Sequence, residues 1–167
     1  MAEVPAYVVN GQYDLLAWND VAARFFAGLI HHLDHDRNLL RWMLARATDD
    51  ARWDMDAASG FLRAAVADLR TAHARQPEEA GMQELVTDLL SNSSRFAAIW
   101  QARDITVRRR IVKKFASREF GDLEFDCQLM HIAETGQRLI SCCAEPGTPT
   151  HARFRRLAAA HTDLGRG

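Results

Sequence analysis

From Leu123 to His131 the chain alternates, with Leu123, Phe125, Cys127, Leu129 and His131 separated by Glu124, Asp126, Gln128 and Met130. A period of two is the mark of a strand with one buried and one wetter face. The period changes to two from about Thr106, and Gly121-Asp122 turns this strand back onto the one before it. Gly136 marks a second turn, and Arg138 to Ala144 predicts a third, almost wholly buried strand. It stops at Glu145-Pro146-Gly147-Thr148-Pro149, where neither helix nor ladder continues. At the other end of the chain, Ala6 to Val9 and Gln12 to Trp18 flank Asn10-Gly11. That dipeptide readily takes the two positive φ values of a tight type I′ hairpin.

Between these β-prone ends the apolar positions recur at three and four. Asn19 or Asp20 offers an N-cap to a short helix burying Val21, Ala22, Phe25 and Phe26. After a His- and Asp-rich loop, a second helix follows Asp36 with Leu39, Leu40, Met43 and Leu44 apolar. A third begins near Asp54 or Asp56 and carries Phe61, Leu62, Ala65, Val66, Leu69 and Ala72 on one stripe. Pro77 restarts the pattern, and Met82, Leu85, Val86, Leu89 and Leu90 form the stripe of a fourth. Ser91-Asn92-Ser93-Ser94 breaks that helix and caps a fifth, whose inner face is Phe96, Ile99, Trp100 and Arg103. A closing helix runs from Thr150 to His161.

The expected fold is therefore α+β, with a five-stranded antiparallel sheet made of an N-terminal hairpin and a C-terminal three-strand meander, and a block of helices between them. Helices on one face of such a sheet give the arrangement of PAS-like sensor domains. No internal repeat or linker divides the chain, so one domain over residues 1–167 is expected, with its core at about 5–161.

Composition narrows the function. A chain of 167 residues that is 48% hydrophobic suffices for one core, burying about 70% of its unfolded surface. Lys plus Arg total 21 against 22 for Asp plus Glu, so no global field draws it to nucleic acid or an anionic membrane. Cys127, Cys142 and Cys143 are odd in number and include an adjacent pair, which suits no disulfide framework and fits a reducing, cytoplasmic setting. The sequence shows neither an export signal nor a spanning segment.

Candidate chemistry is sparse. His31, His32 and His35, with Asp34 and Asp36 nearby, form a cluster able to hold a transition metal, but it lacks the fourth ligand or glutamate base of a built zinc site. A solvated loop accounts for it, and no metal is assigned. Cys127 and His131 share strand parity, yet alternation puts Cys127 on the apolar face, where a thiol is less reactive. No Ser-His-Asp order, phosphate loop or paired carboxylates stand out, so no catalytic residue, cofactor or enzymatic activity is expected. The one basic block, Arg108-Arg109-Arg110 with Lys113 and Lys114, suits DNA phosphates, acidic residues of a dimer mate, or a charged exposed strand that resists edge-to-edge aggregation.

Several ordered segments resemble the MmyB-like ligand-binding domain. They are Pro5-Ala6-Tyr7-Val8-Val9, Leu16-Ala17-Trp18-Asn19, Arg37-Asn38-Leu39-Leu40, Phe96 to Trp100 with Asp104-Ile105, and the stretch from Gly121-Asp122-Leu123 through Arg138-Leu139-Ile140 to Pro149. The chain departs from that pattern at Arg103, where a histidine is usual, at Cys142-Cys143, where Tyr-Thr is common, and near Ser117-Arg118-Glu119, which replaces a His-Pro pair. The resemblance implies a PAS-like sensor domain of a bacterial XRE-family transcription regulator, with a pocket for a fatty-acid-like molecule. Its helix-turn-helix DNA-binding domain is not expected in this chain, which reads as an excised segment or a stand-alone relative. The expected partners are a small apolar ligand, fatty acids included, DNA only through that other domain, and a second copy in a homodimer, with no membrane insertion.

An acyl pocket needs broad apolar walls with few polar groups. The candidate ligand-binding residues are Trp18, Trp42, Met43, Phe61, Leu62, Trp100, Arg103, Phe125, Cys127 and Leu129, with Arg103 as the carboxylate donor ahead of Arg63 and Arg37. The same apolar residues would equally fill a solid core, which leaves a ligand-free dimerisation or docking module as the alternative. Periodicity does not separate a cavity wall from a core wall.

Overall fold

The computed structural model describes residues 3–26, 36–49, 55–103, 111–117 and 121–159, with 46–49, 55–59 and 111–117 as backbone only. The strands are β1 (Ala6–Val9), β2 (Leu15–Trp18), β3 (Ile111–Ser117), β4 (Gly121–Ile132) and β5 (Gln137–Cys143). The helices are α1 (Asp20–Phe25), α2 (Leu39–Asp49), α3 (Met55–Arg75), α4 (Ala80–Asn92), α5 (Ser94–Ala102) and α6 (Pro149–Ala159). Every pairing is antiparallel, and the sheet order is β2-β1-β5-β4-β3. The hairpin and the meander thus join through β1 and β5, with Tyr7 opposite Ile140 and Val9 opposite Arg138. The α+β class with an antiparallel sheet, expected from the change of period, is what the chain forms.

One sheet face supplies the core. Tyr7, Val9, Leu15, Leu123, Phe125, Cys127, Ile140 and Cys142 are all buried on it, and the register keeps them on one side because a strand's period is two. Above them lie the stripes of α3 (Phe61, Leu62, Ala65, Val66, Leu69), α4 (Met82, Leu85, Val86, Leu89) and α5 (Phe96, Ile99). A second group of rings joins α1 and α6 to the sheet: Phe25 meets Phe125 edge-on at 5.4 Å and Phe154 at 5.0 Å, and Phe26 meets Tyr7 at 5.7 Å.

Two asparagines lock the helix entries. The Asn19 carboxamide oxygen accepts from Ala22 N at 2.8 Å, capping α1, and from Ala6 N at 3.2 Å, while its amide donates to Val4 O. Asn38 does the same for α2, accepting from Leu40 N and Arg41 N and donating to Gln12 O and Asp14 Oδ1. Asn38→Ala removes a cap and leaves the Gln12 carbonyl and the Asp14 carboxylate short of a donor. We expect a loss of about 2 kcal/mol in urea unfolding. A change under about 0.5 kcal/mol, the range of an ordinary surface substitution, would show that the cap is dispensable.

Some local expectations are corrected. The β1–β2 connection is not a two-residue turn on Asn10-Gly11: β2 begins at Leu15, and Tyr13, not Gly11, takes the left-handed conformation at φ 68°. Asn10 organises this longer loop, its side-chain oxygen accepting from Gln12 N and Asp14 N at 2.9 Å. Tyr13 N donates to Asn10 O at 3.1 Å. Helix α4 continues through Ser91-Asn92 and breaks only at Ser93, whose hydroxyl caps α5 by accepting from Phe96 N. Leu90 falls off the α4 stripe and is 37% exposed, because 3.6 residues per turn carry it one position beyond the buried Leu89. Gly136, at φ +65°, does serve the β4–β5 turn, donating from its N–H to Ile132 O at 3.0 Å.

Candidate ligand-binding site

The sheet contributes Phe125, Cys127 and Leu129 from β4, spaced two apart on the core face. The helices bring Trp42 and Met43 from α2, Phe61 and Leu62 from the first half of α3, and Trp100 from the end of α5. Trp42, Met43, Phe61, Leu62, Phe125 and Cys127 belong to one buried apolar cluster, with Leu129 and Trp100 half-buried against it.

These residues span a length rather than a point. Trp100 stacks on Phe96 at 5.4 Å and 27° and meets His73 edge-on at 6.0 Å. Arg70 Nη1 donates to the Trp100 carbonyl at 3.1 Å, helping to end α5. Trp100 is therefore seated on the second half of α3. Leu62 lies eight residues before Arg70, about 12 Å along that helix.

Two of the candidates stand outside this interior. Trp18 is on the edge strand β2, in register with Tyr7 but 38% exposed. Arg103 is exposed and left-handed at φ 47°, closing α5 at its C-cap, and not on that helix's inner face as its spacing suggests. A residue that leaves the helical conformation no longer follows the helix's period. Arg37 is exposed as well, and so is Arg63. The cluster His31, His32, Asp34, His35 and the block Arg108-Arg109-Arg110 lie outside the described residues.

A polar unit that periodicity does not reveal sits inside the structure. Arg138, 5% exposed, has the core parity of Ile140 and Cys142. Its Nε donates to Asp68 Oδ2 at 2.5 Å, and its Nη1 donates to Gly136 O at 2.6 Å. Tyr13, fully buried, donates its hydroxyl proton to the same Asp68 oxygen at 3.0 Å, and the Arg138 guanidinium lies 5.8 Å from the Tyr13 ring centre. His131, 58% exposed, lies opposite Arg138 with Nε2 3.6 Å from Asp68 Oδ1. One α3 carboxylate thus holds β4, β5 and the β1–β2 loop. Burial, with the Asp68 charge second, pushes the Tyr13 hydroxyl well above its ordinary pKa, and burial does the same at Tyr7. The readable signal was a charged residue with core parity, which demands an opposite charge.

A separate cleft of about 610 Å³ opens on the outer side of α4, lined by Arg41, Gln83, Glu84, Thr87, Asp88 and Ser91 among others. Arg41 Nη1 bridges to Asp88 there at 2.6 Å. The cleft shares no lining residue with the apolar candidates, and its charged and amide side chains do not suit an acyl chain.

The geometry defines an α+β domain with its large apolar side chains gathered between one sheet face and a helical layer. The chain belongs to the MmyB-like transcription regulator ligand binding domain family, which it matches over residues 1–157. It is accordingly a ligand-binding domain of a transcription regulator. No curated protein matches the chain. Among the described residues no helix is long and apolar enough to cross a membrane, and no three His, Cys, Asp or Glu side chains gather as metal ligands.

Proposed function

We propose that this domain is a non-enzymatic, PAS-like sensor that takes a small apolar or fatty-acid-like molecule between sheet and helices. The observation that carries the reading is the apolar interior bounded by β4 and by α2, α3 and α5. Its members come from elements far apart in sequence, with Trp100 and Leu129 half-buried at its margin. Walls contributed by separate elements are able to move apart without breaking any one of them. A ligand favouring one spacing of helices over sheet would shift that equilibrium by its difference in affinity for the two states. In a cytoplasmic XRE-family regulator, such a shift would reach a helix-turn-helix domain of the same polypeptide or of a dimer mate.

Arg103, exposed beside the Trp100 helix, is the proposed donor to a carboxylate head group at the mouth, with Trp18 at the outer edge. Mass spectrometry of denaturing extracts of the purified protein tests this: a stoichiometric fatty acid or similar amphiphile is expected. A filling substitution sharpens it. Cys127→Phe should abolish uptake while leaving the fold, whereas in a solid-cored docking module it only destabilises, by about 1–3 kcal/mol of overpacking. Extracts that repeatedly contain no apolar molecule would count against the acyl reading.

A further inference from the structure

We propose that Cys127 and Cys142 form a dithiol–disulfide pair, a redox modification site in the middle of the sheet, with a hydroperoxide as the oxidant class. The two residues stand directly opposite each other on β4 and β5, and their sulfurs are 3.7 Å apart. Cys142 N–H donates to Pro5 O at 2.9 Å, toward β1. Its ladder groups therefore face away from β4, so Cys127 and Cys142 are a non-hydrogen-bonded pair. Cα atoms in such pairs are about 4.5 Å apart with side chains close together, within the roughly 4.4–6.8 Å span that a disulfide bridges. What remains is to close the sulfurs from 3.7 Å to the roughly 2.05 Å of an S–S bond, a movement that side-chain rotation supplies.

The third cysteine is separated by parity. Cys143 points to the other sheet face, half-buried, with its sulfur 3.9 Å from the Ser141 hydroxyl. The odd cysteine count thus resolves into one facing pair and one spectator. Ordinary core packing does not need two thiols in register, and the pair lies beneath the helical layer that bounds the candidate interior. The modification is independent of whether that interior admits a ligand.

In the reaction, one cysteine gives up its proton and its thiolate attacks the peroxide oxygen. The O–O bond breaks, leaving a sulfenic acid and releasing water or an alcohol. The second cysteine, deprotonated in turn, attacks the sulfenic sulfur, forms the S–S bond and expels hydroxide, which takes up a proton to leave as water. Two electrons pass from the two sulfurs to the peroxide. Both side chains are buried, so the first step waits on local opening, while the second has its partner already in place.

The test is hydrogen peroxide treatment of the purified protein, followed by unfolding, alkylation, intact mass and peptide mapping. Alkylatable thiols are expected to fall from the three present to one, with a mass loss of about 2 Da for the two hydrogens. A peptide joining Cys127 to Cys142 should appear, and dithiothreitol should reverse the change. Cys143→Ser should still form the bridge, and Cys127→Ala should not. If Cys127→Ala does not fold, the map of the unaltered protein decides alone. Oxidation confined to Cys143, an interchain bridge through Cys143, or full alkylation of Cys127 and Cys142 after treatment would each overturn the proposal.

Discussion

Asp68→Ala is expected to cost about 3–5 kcal/mol in urea unfolding, the range for breaking a buried ion pair by removing one partner. The carboxylate accepts from the buried Arg138 guanidinium and from the Tyr13 hydroxyl. Its removal leaves Arg138 with a single carbonyl partner and a buried, uncompensated charge. Against a total stability of about 5–15 kcal/mol that loss is a large fraction. The pair's net worth is a different quantity. Asp68→Leu combined with Arg138→Met and Tyr13→Phe removes both charges and the buried hydroxyl that shares the carboxylate, and the triple variant should regain most of the loss, since apolar groups need no partner. A single-variant cost below about 1 kcal/mol would show that solvent already screens the pair.

The second large effect is alkaline. The chain has only two tyrosines, Tyr7 and Tyr13, both buried and both held well above the ordinary phenol value near 10. Above that pH the unfolded chain releases two protons that the native chain retains. The unfolded state then binds fewer protons, and stability falls as pH rises. Each tyrosine contributes about 1.4 kcal/mol per pH unit over the interval between its unfolded and folded values. Phenolate absorbance should therefore rise in a single step, coincident with loss of near-ultraviolet circular dichroism. A tyrosine ionising near pH 10 in a still-folded protein would contradict the burial that fixes both rings.

Much of this architecture is legible in the chain because it is local. The alternation from Leu123 to Cys127 holds as buried positions on β4, and the α4 stripe from Met82 to Leu89 is buried as spaced. What escapes is long-range. Nothing in the hairpin's composition says that Tyr13 will adopt φ 68°, since that conformation is held by the Asn10 loop and by Asp68, 55 residues away. Arg138 reads as one polar position in a buried strand until its partner 70 residues earlier is known. The facing of Cys127 and Cys142 was within reach, because counting outward from the Gly136 turn sets the β4–β5 register. The candidate site is the least legible part. A half-buried Trp100 and a buried Phe61 carry the same periodic signal whether they line a space or fill one.

The most direct measurement is the thermal unfolding of delipidated protein with and without medium- to long-chain fatty acids. At about one hundred times the dissociation constant, binding to the native state alone adds about 2.7 kcal/mol, which in a domain of this size raises Tm by roughly 5–10 °C. The account predicts that rise, growing with ligand concentration and lost in Cys127→Phe. A Tm unchanged across the whole acyl series, with no small apolar molecule recovered from the protein, would contradict it.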